Sequence, residues 1–357
     1  MDPESVVRVT PMASGRRSSA GAVITVPGRR PLPVFLDANL ELVGDATPWL
    51  PMGLPLAMSC AAPLVIDGVV DTVARSKSDQ AQQMLAGWFP HWTRVAVSAT
   101  EGASSDPGAA GVGAFFSGGL DSLYTAITRG HEITHLIFVL GFDIPLRDQV
   151  RAARVLKATR SVAEMLGKPL IEMRTNLREV SDPLAPWAIA YHGAAMAAVA
   201  QSLADHVGTV LIPSSWPPGR GPIYGSHPDL DHLWSSSRVK VVHDASEADR
   251  IDKARVLAAH PGALENLRVC WQNTGSELNC GRCEKCVRTA VNLIAAGAAG
   301  ACPSLPSRVD AEAVARFGNG DVVRRFRAEN VAALRRLPDG ARDRRLEDAL
   351  TAVTADT

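Results

Sequence analysis

Phe115-Phe116-Ser117-Gly118-Gly119-Leu120-Asp121-Ser122 is the stretch from which the rest of the chain can be read. The apolar run over 111–116 predicts a short buried strand. It breaks at Ser-Gly-Gly, and a helical pattern begins at once with Leu120, Leu123, Tyr124, Ala126 and Ile127. A strand that turns through glycines into a helix N-terminus is an anion site. The helix offers unpaired N–H groups and the positive end of its dipole, and the glycines let the backbone approach an oxyanion with no Cβ in the way. Phosphate is the expected guest.

Working outward, strands and helices alternate. Strands are expected at 111–116, 134–140, 169–174, 208–213 and 238–243, with helices at 121–130, 147–166, 187–205 and 247–259. That alternation predicts an α/β fold with a doubly wound, parallel five-stranded sheet covered on both faces, and ligands at the carboxyl ends of its strands. The small residues over 193–200 read as close packing of helix on sheet. Upstream, residues 1–25 are small and polar and read as a loose lead-in. Short apolar runs with turn signals at Pro51-Met52-Gly53 and Ile66-Asp67-Gly68, then a helix over 78–89, predict a small α+β N-terminal domain spanning 1–105. A Gly/Ala/Ser-rich linker over 102–111 separates it from the α/β domain at 106–300, which carries the glycine turn. A helical tail covers 301–357, its arginines 324, 325, 327, 335 and 336 on a solvated face.

Composition excludes several classes. A hydrophobic share of 46% and a charged share of 21% describe a soluble globular chain. Basic and acidic residues balance at 37 each, which removes any global electrostatic case for nucleic acid or an acidic membrane. No apolar run reaches membrane-span length and no signal-peptide pattern opens the chain, so a cytoplasmic location is expected. In that compartment the six cysteines are thiols or metal ligands rather than disulfides.

The loop lacks the Gly-Lys-Ser/Thr of a Walker A motif. The Gly111-x-Gly113 pair lies inside the strand, not after it, so it is no dinucleotide fingerprint. Ser-Gly-Gly-x-Asp-Ser at a strand-to-helix turn resembles the PP-loop of the adenine-nucleotide α-hydrolase superfamily, which includes N-type ATP pyrophosphatases, tRNA sulfur-transfer enzymes and 7-cyano-7-deazaguanine synthase. The resemblance implies a HUP-type sheet, Mg²⁺-assisted cleavage of ATP to AMP and pyrophosphate, and adenylation of a substrate oxygen. It places ATP on Phe116, Ser117, Gly118, Gly119, Leu120, Asp121 and Ser122, with Asp121 capping the helix or orienting Mg²⁺.

A second motif is Cys270-x9-Cys280-x2-Cys283-x2-Cys286. Four thiolates with two Cys-x2-Cys steps suit tetrahedral Zn²⁺ in a closed, structural shell; an iron–sulfur cluster and sulfur-carrying cysteines are the alternatives. The pair of motifs, about 150 residues apart, is similar to 7-cyano-7-deazaguanine synthase-like proteins. Ile251-Asp252-Lys253-Ala254 resembles that family's Lys-Ala-Glu segment, with Arg255 in place of the glutamate, which makes Lys253 a phosphate-neutralising candidate or else a surface lysine. The family's substrate stretch is only loosely echoed by Tyr224, Pro228 and Asp229, which implies a different substrate. Gly-Ser-His-Pro at 225–228 and Asn-Cys-Gly-Arg-Cys-Glu-Lys-Cys at 279–286 also resemble stretches of other PP-loop proteins.

Remaining candidates stand near strand ends. Leu140 and Asp143 follow the second strand, where Asp143 meets a ribose or makes a turn. Arg178 follows the third and could clamp a carboxylate or phosphate, as could the neighbouring Asn176 contribute a contact. His192 reads as a satisfied mid-helix histidine more than a base. Ser214, Ser215, His227, Asp231 and Trp234 lie in a long polar loop expected to close over substrate. Expected partners are a small-molecule substrate and a nitrogen donor, with no membrane; a homodimer is allowed. The leading expectation is an AMP-forming ligase joining a nitrogen nucleophile to an adenylated carboxylate or amide oxygen. Its rivals are ATP-dependent sulfur transfer to a nucleoside, tRNA or metabolite, and a non-catalytic nucleotide-binding regulator.

Overall fold

Burial alternates along the strands that flank the glycine turn. Phe115, Ile137, Val210 and Ile212 face one core, while Ala114, Phe116, Leu136 and Leu211 face another. Side chains on a strand point alternately to opposite faces, so the sheet is covered on both. One face carries the helices Trp49–Ser59 and His192–Ser202; the other carries Leu120–Thr128, Gln149–Met165 and Arg250–Ala258. The computed structural model describes residues 5–103, 108–216, 222–317 and 320–352.

Among the described residues one sheet of ten strands runs through the molecule. In chain order these are β1 (Val7–Met12), β2 (Ser19–Thr25), β3 (Leu32–Ala38), β4 (Leu64–Asp71), β5 (Val97–Gly102), β6 (Val112–Phe115), β7 (His135–Leu140), β8 (Leu170–Thr175), β9 (Thr209–Pro213) and β10 (Lys240–Asp244). The spatial order is β10-β9-β6-β7-β8-β3-β2-β1-β4-β5. The strands from β6 to β10 pair in parallel, as the alternation predicts. They are half of a larger, mostly parallel sheet rather than a free-standing five-stranded one.

The N-terminal expectations need correcting. Residues 7–25 are not a loose lead-in: they form β1 and β2, antiparallel, with Val7 and Val9 fully buried. Nor do the first 105 residues stand apart. β3 pairs antiparallel with β8 through Leu36–Thr175 and Ala38–Met173, and the Asn176 side chain bonds the Phe35 N–H and the Pro33 carbonyl. One hydrophobic cluster continues from Val9 and Leu64 to Tyr191 and Val241. Residues 104–107 of the expected linker lie outside the described residues.

Pro51-Met52-Gly53 is not a turn but the start of the helix Trp49–Ser59. Pro51 falls in the first turn, where its missing N–H costs no helical bond. A Cβ on Gly53 would meet Leu64 Cδ1 at 2.9 Å, so the glycine allows that helix to lie directly on β4. Gly68, also read as turn punctuation, sits at an irregularity within β4. The helix expected over 78–89 starts a turn and a half earlier, at Thr72, capped by the Asp71 carboxylate accepting from the Ala74 N–H. The helix expected over 187–205 divides into a π-helical turn, Trp187–Tyr191, and the helix His192–Ser202. Among the described residues no helix is long and apolar enough to cross a membrane.

Candidate functional site

The glycine turn lies where the alternation puts it, at the carboxyl end of β6 and beside β7 and β9. Gly118 adopts φ +73°, and a Cβ there would meet no atom within 4 Å, so the loop's concave side is open. Gly119 precedes the helix Leu120–Thr128 without a side-chain cap. The first-turn N–H groups are therefore not consumed by a capping side chain. Asp121 does not cap this helix, contrary to expectation. Ser117 and Ser122 hydroxyls lie 3.4 Å apart, and Ser122 donates to the Gly119 carbonyl. The Arg268 N–H donates to the Gly118 carbonyl at 2.9 Å and fixes the loop from outside.

Beneath the loop is a buried array of charge. Asp121 accepts from Arg250 Nη1 at 2.7 Å and Ser215 Oγ at 3.0 Å, and Lys253 Nζ is 3.4 Å from its second oxygen. Burial alone would push this carboxyl up; Arg250, Lys253 and Lys285, with the Ser215 hydroxyl, outweigh it and hold the pKa at about 2. Both oxygens are engaged by cations, which leaves Asp121 poorly placed to serve a magnesium ion. Lys253 is fully buried, so it is not a surface lysine, and it donates to the Ser214 carbonyl at 2.5 Å.

Two adjoining chambers open above this array. The smaller, about 210 Å³, is lined by Phe116, Ser117, Asp121, Ser122, Asp143 and Arg268. The larger, about 560 Å³, is lined by Arg178, Trp187, Trp216, Tyr224, Trp271 and Arg288 among others. Asp143, Trp187, His192, Ser215 and Lys285 face both. A side recess of about 60 Å³ holds His192, Ser214, Ser215, Tyr224, Ser226, His227 and His243.

Several predicted residues therefore converge: Phe116, Ser117, Asp121, Ser122, Asp143, Arg178, His192 and Ser215 line the chambers, and Ser214 and His227 the recess. Others do not. Leu120 is core, and Leu140 packs with Phe138 and Ile144. Asp231 is fully buried and anchors the loop instead, taking Ser226 Oγ at 2.6 Å, His243 Nδ1 at 2.7 Å and the His227 N–H. Trp234 is buried beside it. Arg178 is ion-paired with Asp182 and donates to the Phe142 carbonyl at 2.8 Å. His192 opens its helix rather than sitting in the middle, and burial pushes its imidazole towards the neutral form. Residues 217–221 of the expected closing loop lie outside the described residues.

Sequence reasoning missed Arg250, Arg268, His243, Lys285, Arg288 and Phe326. Lys285 and Arg288 stand inside and just after the cysteine motif, where the spacing reads as metal framework alone. His243 carried a signal, since it ends the last predicted strand, where ligands sit. Phe326 had none: its stacking on Trp216, with centroids 4.1 Å apart, brings the C-terminal helix onto the site.

The four cysteines do gather. The sulfurs of Cys270, Cys280, Cys283 and Cys286 lie within 4.8 Å of one another and could hold a metal ion such as zinc. Asn279 shapes the approach by accepting from the Val269 and Cys270 N–H groups. Cys283 precedes the helix Glu284–Ala295, and its thiol, bonded by Cys286, falls to about 5, while Cys286 is pushed strongly up beside it. Thiols this close cannot all ionise without a cation among them, which is the chemistry of a metal site. Cys302 is buried against Leu267 and Ser304, away from the cluster's sulfurs.

Compared with protein-family models, curated proteins and solved structures, the chain matches none.

Proposed function

We propose that the protein is an ATP-dependent, AMP-forming ligase of the PP-loop type. It would adenylate a carboxylate or amide oxygen of a small molecule and then join a nitrogen nucleophile to the activated carbon. The observation that carries this reading is the open glycine turn and helix N-terminus set directly above a buried array of cations. The parallel order β10-β9-β6-β7-β8, with the turn at its switch point, supports a HUP-type nucleotide site.

The triphosphate lies along residues 117–122, with the adenine end in the smaller chamber against Phe138 and Val139. The substrate oxygen attacks the α-phosphorus; the bond to the bridging oxygen breaks and its electrons leave with pyrophosphate. Helix N–H groups and the Ser117 and Ser122 hydroxyls stabilise that leaving charge. Lys285, facing both chambers, neutralises the α-phosphate where Lys253 cannot, because Lys253 is spent on Ser214 and Asp121. The nitrogen nucleophile then adds to the acyl or imidoyl carbon and AMP departs. His243, oriented through Nδ1 by Asp231, stands in the side recess, and His192, held neutral by burial, faces both chambers; these two imidazoles are the candidate bases for that step. Mg²⁺ would offset phosphate charge, and Asp143, whose side chain is 46% exposed, is the chamber carboxylate best able to reach it. Zinc on the four cysteines would be structural.

Sulfur transfer is less well supported, because neither Cys60 nor Cys302 lines a chamber and the other four form the cluster. The test is substrate-dependent pyrophosphate release, lost in Ser117→Ala and Asp121→Ala. ATP turnover to ADP and phosphate would overturn adenylation, and tight ATP binding without turnover on any acid or amide would favour a regulator.

A further inference from the structure

The larger chamber contains a cation that the nucleotide does not use. Arg288 projects from the helix Glu284–Ala295, its side chain only 9% exposed. Its Nε and Nη1 are buried and have no hydrogen-bond partner among the described residues. Glu284, one turn earlier on the same helix and also facing the larger chamber, forms an ion pair with Nε at 3.4 Å without hydrogen-bond geometry, which leaves Nη1 with no partner of either kind among the described residues. The guanidinium carbon lies over the Phe326 ring, 3.5 Å from its centroid, and Phe326 is itself stacked on Trp216. That cation–π contact favours this placement of the group.

Arg250 and Arg268 also leave a buried Nε without a hydrogen bond, but among the chamber arginines Arg288 alone has a terminal nitrogen, Nη1, buried and unpartnered among the described residues. Arg250 is paired with Asp121, Arg178 with Asp182, and Arg268 bonds Asn273 and lies 4.0 Å from Asp143. Lys285 faces both chambers and is the cation assigned to the α-phosphate. Buried guanidinium donors are ordinarily satisfied, and a planar fork with open donors matches the two oxygens of a carboxylate or phosphate. Of the two chambers Arg288 lines the larger and not the one holding the glycine turn; it also borders a small apolar recess of about 20 Å³ beside Phe326, so its position is set apart from the nucleotide's phosphates.

We propose that Arg288 is an anion subsite for a second acidic group on the substrate, remote from the oxygen that is activated. The substrate class is then a flat metabolite bearing a carboxylate or phosphate in addition to its reacting carboxylate or amide. Trp187, Trp216, Tyr224 and Trp271 supply the apolar walls for its body. The inference rests on the adenylation reading only for the identity of the other end.

The probe is inorganic phosphate, titrated at constant ionic strength by calorimetry and tryptophan fluorescence, with the loop first saturated by α,β-methylene-ATP and Mg²⁺. The wild-type protein binds one phosphate. Arg288→Met weakens it on the order of ten- to a hundred-fold, Arg288→Lys retains part of the affinity, and the affinity for the nucleotide analogue stays within about two-fold in both. Equal phosphate binding by wild type and Arg288→Met, or none by wild type, overturns the subsite. So does a parallel loss of analogue affinity, which would assign Arg288 to the nucleotide. If the analogue binds no variant, the ATP reading fails, while the phosphate difference between wild type and Arg288→Met still decides the subsite.

Discussion

Asp121→Asn removes one negative charge from a site where two buried cations depend on it. Arg250 is 1% exposed, Lys253 is fully buried, and the Asp121 side chain itself is 15% exposed, so solvent screens little of the interaction. A carboxyl brought from 3.8 to about 2 by its surroundings contributes about 2 kcal/mol to folding at neutral pH. Leaving Arg250 and Lys253 without their acid adds to that loss, for a total of about 3–5 kcal/mol. The sign of the pH dependence follows from a depressed folded-state pKa. The contribution is complete above the unfolded value of 3.8 and is lost as pH falls through about 2. At pH 3 roughly half of the titrating part is already gone. Urea unfolding of wild type and Asp121→Asn at pH 7, 5, 4 and 3 measures the difference. The gap between the two proteins narrows below pH 4. A gap unchanged between pH 7 and pH 3 would refute the claim that the ion array, rather than side-chain shape, is what Asp121 supplies.

Metal analysis is expected to find about one zinc per chain; chelation under reducing conditions lowers the urea midpoint, and zinc but not magnesium restores it. Gly118→Ala places a Cβ on a φ of +73° with no steric neighbour, so it costs only about 1 kcal/mol in urea unfolding while ATP binding falls by tenfold or more. Gly193→Ala puts a Cβ 2.0 Å from the Gly225 carbonyl oxygen, and the expected loss exceeds about 2 kcal/mol because backbone has to move. Phe326→Ala frees the Arg288 guanidinium and quenches the phosphate affinity of the larger chamber by several-fold, while metal content is unchanged.

The parallel half of the fold was legible because its signals are local. Apolar runs alternate with helical periods, and glycines punctuate the joins. The N-terminal half misled for a physical reason. In β1 and β2 the buried positions alternate with more exposed ones, several of them polar or small such as Arg8, Thr10, Ser19 and Gly21, so composition resembles a loop until a partner strand is known. The pairing of β3 with β8 joins residues about 140 apart and leaves no local mark. At the site, the glycine turn and the cysteines were visible because each is a contiguous pattern. Lys285 and Arg288 were not, since a charge beside a metal ligand looks the same whether it faces solvent or a chamber. Asp231 was misjudged because a loop aspartate carries no sign that three donors will converge on it.

Arg250 links the parts that sequence reading kept separate. Its Nη1 holds Asp121 at the start of the loop helix, its Nη2 reaches Thr289 on the helix that follows the cysteines, and its backbone N–H donates to Glu329 in the C-terminal helix Asp321–Arg335. The cysteine cluster includes the first turn of the helix that presents Lys285 and Arg288, so a metal there would act on the chamber by positioning those two side chains. The N-terminal half acts in the same manner from the opposite face. Buried Tyr191 donates to the Met52 carbonyl at 2.7 Å, which holds the turn carrying Trp187 and His192 against the helix Trp49–Ser59. A wall of the substrate chamber thus rests on residues 49–59, and the grip on Arg288 rests on residue 326. The walls of the chamber beside the glycine turn are thus set by regions outside the loop and cysteine motifs, residues 49–59 and 326 among them.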